Sequence, residues 1–238
     1  MKKAVSLLAV VVFCIGSFGF CESVQNSPNL DCVDTPTCNT LLRGMYNFHM
    51  RFYESGGVLT RAWVGFASTF MIGATFNLDN VIGAGNVTGR EPKILAKIKI
   101  IEDSTAFPSL AIGYEPQSFG ELASDKYSTK PVGIYAVVTK NLLSGLFVTG
   151  GVGNHNVFTD FKFDTDLNVF ASVILMLNPD FALLVEYNDI ISKDWGSLNI
   201  GLRYAFAPEL RIEVDFKGLT KKPEDFIRNL RIDYVNYF

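Results

Sequence analysis

The sequence lacks the features on which several common assignments depend. After its first twenty or so residues it contains no run of about eighteen apolar residues, which excludes a membrane protein built from helices. The formal net charge is −3, so a basic nucleic-acid-binding surface is not indicated. Histidine occurs only twice, and neither Cys32 nor Cys38 has a histidine nearby, so we expect no metal site and no cofactor.

The C-terminal part of the chain instead shows a regular alternation of apolar and polar residues. Every second residue is apolar in 198–206, and the pattern restarts in 210–216 and in 230–234. A period of two is typical of β-strands. Strands of about ten residues with one apolar and one charged side suit a transmembrane barrel, because lipid lies outside and water or ion pairs lie inside.

Similar runs extend over most of the chain. They cover 43–53, 57–67, 70–78, 93–101, 107–114, 131–140, 145–153, 167–177, 181–188, 196–206, 209–217 and 228–238. Short and long connections alternate between them, as in a barrel with tight turns at the periplasmic rim and long loops at the outer rim. The predicted fold class is all-β, a transmembrane up-and-down antiparallel β-barrel of about 12 strands.

The region before the barrel divides into two predicted segments. Residues 1–21 have a basic start and an apolar stretch of signal-peptide length, although lipid attachment at Cys21 is an alternative. Residues 22–42 are rich in Ser, Asn, Asp, Pro and Thr without periodicity, so we expect an extended N-terminal arm that acts as a linker rather than a plug. An exported chain meets an oxidising compartment, which favours a disulfide between Cys32 and Cys38. Residues 43–238 form the predicted barrel, located in the outer membrane of a Gram-negative-type bacterium.

The charged faces of the strands predict the lumen. An Arg or Lys facing lipid at mid-bilayer would cost about 2 to 4 kcal/mol, so these side chains are assigned inward. The predicted lumen-lining charged residues are Arg51, Arg61, Lys97, Lys99, Glu186, Arg203, Arg211, Glu213, Asp215, Arg231 and Asp233. Cations outnumber carboxylates in this set, so the lumen could bind or pass anions. The alternative is a ladder of salt bridges that closes a narrow barrel.

Five segments share the strand patterns of a known family. They are 76–83 (FNLDNVIG), 92–99 (PKILAKIK), 107–114 (FPSLAIGY), 135–140 (YAVVTK) and 183–188 (LLVEYN). Through them, the chain from about Phe66 onward resembles the YjbH-type exopolysaccharide-biosynthesis outer-membrane β-barrel family. The resemblance implies a role in the secretion or assembly of extracellular polysaccharide, with this chain as a compact single-barrel version.

The C-terminal strand, the two histidines and residues 164–168 carry further motifs. Ile232, Tyr234 and Phe238 resemble the C-terminal strand signal of the barrel-insertion machinery, which would be a partner together with outer-membrane lipid. His49 and His155 lie near no recognisable nucleophile and orienting group, so we predict that the protein is not an enzyme. The alternate oxygen ligands of 164–168 lack the glycine of a calcium-binding loop, so a solvated loop is expected there.

Three functions remain open at this point. The first is an outer-membrane barrel that assists export or surface assembly of extracellular polysaccharide, with an anionic polysaccharide as its partner, or forms a small anion-favouring pore. The second is a structural barrel with a salt-bridged, closed lumen and no transport. The third is a soluble periplasmic sheet protein whose charged faces meet water.

Overall fold

The computed structural model describes residues 28–123, 126–155, 167–191, 196–222 and 225–238. The predicted signal peptide at 1–21, the lipidation alternative at Cys21 and most of the calcium-like motif lie outside these residues. Among the described residues, no helix is long and apolar enough to cross a membrane.

Fifteen strands account for most of the described chain. They are β1 (Met45–Tyr53), β2 (Gly57–Ala67), β3 (Phe70–Asp79), β4 (Thr88–Gly89), β5 (Lys93–Ile101), β6 (Ser109–Glu115), β7 (Phe119–Ala123), β8 (Lys126–Thr129), β9 (Gly133–Leu143), β10 (Leu146–Asn154), β11 (Leu167–Met176), β12 (Phe181–Asn188), β13 (Ser197–Ala205), β14 (Leu210–Lys217) and β15 (Ile227–Tyr237). A short 3-10 turn at Glu54–Gly56 joins β1 to β2.

Twelve of these strands close into a barrel, all except the short β4, β7 and β8. Strand β1 pairs antiparallel with β2 on one side and with β15 on the other, so the first barrel strand is bonded to the last. The register runs from Met45 opposite Tyr237 to Phe52 opposite Leu230. The predicted fold class, a transmembrane up-and-down antiparallel barrel of about twelve strands, is confirmed.

The wall has the two faces that its period-2 sequence predicts. In β1 the side chains alternate between buried and more exposed positions, and the same alternation recurs in β11, β12 and β15. The exposed positions hold apolar residues, among them Phe48, Ile98, Leu202 and Leu230. An apolar outer face is what lipid requires, because a charge there would lose its hydration without gaining a partner.

The N-terminal arm lies inside the barrel, so the prediction of a plain linker is wrong. Asp31 and Pro36 form an isolated bridge, and within that turn the Cys32 amide donates to the Thr35 carbonyl at 2.8 Å. Most side chains from Asn29 to Leu41 are buried. Polar composition suggested a solvated segment, but the lumen of this barrel is itself polar, so a polar segment is what can fill it.

The predicted disulfide is also wrong, because Cys32 and Cys38 are both free thiols. Each thiol of the arm contacts a different part of the wall. The Cys32 Sγ is 3.9 Å from the Val173 carbonyl oxygen, whereas the Cys38 Sγ is 3.0 Å from that of Val137. The turn of the arm directs the two side chains to separate apolar clusters, so seating the arm keeps the sulfur atoms apart.

A second segment, from the long connection between β6 and β9, also contributes to the filling of the lumen. Strands β7 and β8 form a two-stranded sheet within the long connection between β6 and β9. Phe119, at the start of β7, is only 3% exposed and lies 5.7 Å from Tyr53, ring centroid to ring centroid. We call the described residues 116–123 and 126–130 the lid segment, because Phe119 brings this part of a long-loop connection into the lumen.

Candidate functional site: the filled lumen

The lumen wall carries an excess of cations. Among the described residues, seven buried Arg and Lys side chains belong to barrel strands, against five buried carboxylates. The cations are Arg51, Arg61, Lys97, Arg203, Arg211, Lys217 and Arg231. The carboxylates are Glu115, Glu186, Glu213, Asp215 and Asp233. The wall alone therefore has two formal positive charges in excess.

The arm supplies the two carboxylates that balance this excess. Asp31 forms an ion pair with Arg231, and its carboxylate oxygens lie 3.8 Å from Arg203 Nη2 and 3.6 Å from Arg61 Nη1. Asp34 forms the second set of ion pairs, described below. Burying unpaired charge is costly, so this balance explains why the arm is stable inside the barrel.

Backbone carbonyls of the arm take up further donors from the wall. Arg231 Nη1 donates to the carbonyls of Cys32 at 3.2 Å and Val33 at 2.9 Å. The Nζ atom of Lys97 donates to the Leu30 carbonyl at 2.9 Å. An irregular segment leaves its carbonyls free to accept such bonds, because they are not used in a helix or sheet.

Glu186 holds the tip of the arm. One carboxylate oxygen accepts hydrogen bonds from the backbone amides of Asp34 and Thr35 and from the Thr35 hydroxyl, each at 2.8 Å. The other oxygen accepts from Asn199 Nδ2 at 2.9 Å. This carboxylate is therefore saturated by neutral donors, three of them from the arm, and it fixes the depth to which the turn is inserted.

Asp34 joins the arm to the lid segment. It pairs with Arg51 through one oxygen, and its other oxygen lies 2.7 Å from Lys217 Nζ. Both cations also face the Phe119 ring, with Arg51 Cζ 4.8 Å and Lys217 Nζ 4.7 Å from its centroid. Burial raises the pKa of Asp34, but Lys217 and then Arg51 outweigh that effect and hold it below its ordinary value.

A narrow recess adjoins the cluster of Asp34, Arg51, Lys217 and Phe119, which we call the Asp34 cluster. Its lining includes Asp34 and Phe119 together with wall and loop residues such as Arg61, Lys130 and His155. The free space is about 10 Å³, which is room for one water molecule. The recess itself therefore has no room for a solute larger than water.

The sequence-predicted lumen residues occupy the following positions. The side chains of Arg51, Arg61, Lys97, Glu186, Arg203, Arg211, Glu213, Asp215, Arg231 and Asp233 are buried within the barrel. Lys99 differs from them, because its Nζ lies 3.1 Å from Glu102 in an exposed contact beside the turn that follows β5.

The expected cross-strand pair of Arg203 and Glu213 is formed. Arg211 is opposite Asp233 in the register and also donates to the Pro28 carbonyl of the arm at 3.3 Å.

The two histidines have partners that do not suggest nucleophilic catalysis. His49 Nδ1 lies 3.1 Å from Asp233 inside the barrel. His155 contacts the Pro131 carbonyl through Nδ1 and lies 3.3 Å from Asp189 through Nε2. The His49 contact joins the middle of β1 to that of β15, whereas the His155 contacts join strand ends. In the described part of the chain, no group of three or more metal-ligating side chains forms a metal site.

The proposed insertion-signal residues lie on the outer face of β15 or just beyond it. Tyr234 and Phe238 are exposed, and both rings lie near Tyr46, at 6.1 and 5.2 Å between centroids. Ile232 is half-buried on the same face. These side chains form an aromatic edge where β15 meets β1.

Sequence reasoning missed several residues of the site. Lys217 ends the charged face of β14, so the alternation that identified Arg211 could have identified it too. Asp31, Asp34 and Phe119 gave no such signal, because they lie in segments without periodicity. Their positions depend on which segments enter the lumen, and that is a tertiary property.

Comparisons with known proteins agree with this architecture. No family model and no curated protein matches the chain. Among solved structures, the chain is similar to the KdgM porin, with a TM-score of 0.51 at 11% identity, covering 82% of this chain and 99% of that one. The same porin in complex with disordered oligogalacturonate gives a TM-score of 0.50 at 12% identity, with the same coverage.

The fold is that of a porin-type β-barrel. At 11% to 12% identity, this likeness shows the fold alone. Because the match covers 99% of the porin, the two barrels agree over almost the whole length of the porin chain.

Proposed function

We propose that this protein is an outer-membrane channel that its own N-terminal arm holds closed, and that its lumen favours anions once the arm has left. The observation that supports this most strongly is the charge balance of the lumen. The wall has an excess of two cations, and Asp31 and Asp34 of the arm balance it. A lumen without the arm would attract anions, because its remaining charges are net positive.

Acidic extracellular polysaccharide is the proposed class of solute. The strand patterns that resemble the YjbH-type family support a role in export or surface assembly of such a polymer. The likeness of fold to a porin solved with oligogalacturonate adds a second acidic saccharide as a useful probe. The carboxylates of these chains match the Arg and Lys donors of the wall.

Planar-bilayer recording tests the proposal. The wild-type protein should show little steady current, whereas the double variant D31N/D34N should open a pore with an anion-selective reversal potential in a KCl gradient. The matched control is Asp103→Asn, a carboxylate that pairs with Lys140 at the turn rim outside the lumen. A double variant that stays closed, or that opens with cation selectivity, would contradict the proposal.

The second candidate function is a structural barrel without transport. The filled lumen favours it, because arm and wall satisfy each other's charges through buried contacts. This candidate predicts no current from wild type or variant under any condition that leaves the barrel folded. Heat-modifiable migration on gels and fractionation with outer membranes check location for both candidates, and extraction into the periplasmic fraction without detergent would exclude both.

A further inference from the structure

The Asp34 cluster has the form of a binding site whose ligand is supplied by the chain itself. Its two cations come from strands β1 and β14, and its aromatic ring comes from the lid segment. Arg51 and Lys217 are 0% and 5% exposed, so each has given up most of its hydration. One carboxylate, with one oxygen on each cation, is the group that this arrangement receives.

The lid segment contributes to this site at two points. Phe119 lies against both cations, and Lys217 Nζ donates a hydrogen bond to Thr129 Oγ1 at 2.8 Å. Phe119 and Thr129 therefore hold Lys217 independently of the arm, and Phe119 does the same for Arg51, whose bond to the Val33 carbonyl belongs to the arm. A site whose donors are fixed by neighbouring groups keeps its geometry when its carboxylate leaves, which favours binding of another carboxylate.

The position of Asp34 indicates how a solute would reach the site. Among the described residues of the arm, Asp34 is the one that lines the recess beneath the long loops. Asp31 lies deeper, among Arg61, Arg203 and Arg231. A solute that enters from the long-loop rim therefore meets the Asp34 carboxylate before any other acidic group of the arm.

We propose that Arg51, Lys217 and Phe119 form a binding site for the carboxylate of an entering solute, and that Asp34 occupies this site as a built-in competitor. The inference rests on the proposed channel function, because it names the group through which an acidic solute starts to displace the arm. Competition at one site lowers the apparent affinity for the solute by the fraction of molecules in which the site is free. Removing the Asp34 charge should therefore strengthen solute binding.

Calorimetric titration of the full-length protein in detergent with trigalacturonate measures this competition. Asp34→Asn should bind about tenfold more tightly than wild type, since the site is then free in most molecules. The combination D34N/K217Q should lose that gain, because one of the two cations is gone. Galactose, which lacks the carboxylate, should bind none of the variants, and Asp103→Asn should behave as wild type.

The thiols of Cys32 and Cys38 report the position of the arm independently. Cys32 and Cys38 are completely buried, so maleimide should label them slowly in wild type and several-fold faster when trigalacturonate is present. Asp34→Asn should label fast without ligand. Heat-modifiable migration confirms that each variant is folded, and Asp34→Ser replaces Asp34→Asn where the latter fails to fold.

The outcomes separate this inference from the channel proposal. If Asp34→Asn labels fast but binds trigalacturonate no more tightly than wild type, the carboxylate site is overturned while closure by the arm stands. If the wild-type thiols label at once without ligand, the arm is not seated and both proposals are overturned. Tighter binding together with ligand-dependent labelling supports both.

Discussion

The barrel wall and the arm inside it are stabilised by different kinds of contact. In the wall, backbone hydrogen bonds join each strand to its neighbours around a closed ring, and apolar side chains face outward. The described part of the arm has one isolated bridge of its own, and it is held mainly by Arg, Lys and Glu side chains of the wall. The ladder of the wall is therefore complete without the arm, whereas the arm makes most of its side-chain ion pairs and hydrogen bonds with the wall.

This difference implies that the arm can leave without breaking the barrel. Each wall strand would keep its ladder hydrogen bonds, although buried cations would lose their partners until water or anions replaced the arm. Arg231 contacts both the wall and the arm, so it links the stability of the two regions.

Arg231 should give the largest effect on stability. It pairs with Asp31 of the arm and with Glu213 and Asp233 of the wall, and it is 1% exposed. Arg231→Gln removes the one cation that all three carboxylates share, which should cost about 3 to 5 kcal/mol in the free energy of unfolding. A urea titration in which heat-modifiable migration reports the folded fraction measures this loss of unfolding free energy.

Arg228 in the same strand is the matched control. It is exposed and lies over the Phe226 ring, 5.4 Å from Cζ to centroid. Arg228→Gln should change the unfolding free energy by less than about 1 kcal/mol. Equal losses for the two variants would show that burial of Arg231 among carboxylates is not what stabilises the barrel.

The next largest effect tests the outer face of the wall. Leu202 points outward from β13, next to the inward Arg203. Leu202→Arg places a cation against lipid and should cost about 2 to 4 kcal/mol near mid-bilayer, whereas Phe206→Arg beyond the end of β13 should cost about 0 to 1 kcal/mol. Folding titrations into lipid vesicles compare them, and an equal, small cost at both positions would argue against a lipid-facing wall.

The thiols give a smaller effect that concerns the arm alone. Because Cys32 and Cys38 lie in separate clusters as free thiols, replacing both by Ala should lower the unfolding free energy by about 1 to 3 kcal/mol through lost packing. Unlike the loss of a disulfide, this cost should be the same with and without reductant. Mass spectrometry of the wild-type peptide that contains Cys32 and Cys38 should find both as free thiols, and a mass two hydrogens lower would show the disulfide instead.

Acid should loosen the arm only at low pH. The pKa of Asp34 is lowered in the seated arm, so its carboxylate stabilises seating above the ordinary pKa of 3.8, and this contribution is lost as pH falls towards the lowered value. Maleimide is too slow at such pH, so a thiol reagent that reacts in acid, such as dithiodipyridine, is the probe. Thiol labelling should stay constant between pH 7 and about 5 and rise below about 3.8, and Asp34→Asn should lack that rise.

The wall could be predicted from the sequence because its rule is local. Alternating side chains fix which residue faces lipid, and the strands predicted at 57–67, 93–101 and 181–188 coincide with β2, β5 and β12. Closure between β1 and β15 was part of the barrel prediction, and the pairing of the two strands confirms it. Local composition was enough because every strand meets the same two environments, hydrocarbon and lumen.

The arm could not be predicted in the same way. Its residues have no period, and their short polar side chains are as suitable for a solvated linker as for a polar lumen. The expected disulfide failed for a related reason, because the spacing of Cys32 and Cys38 permits a bridge but tertiary contacts direct the two thiols to different clusters. Lys217 could have been found from the β14 alternation, whereas Asp34 required knowledge of what enters the barrel.

Single-channel recording of a variant that lacks residues 28–41 tests closure by the arm most directly. The wild-type protein should remain closed, and the deletion variant should carry a steady, anion-selective current while it still shows heat-modifiable migration. Equal currents from the two proteins, or a folded deletion variant that carries no current, would contradict the account.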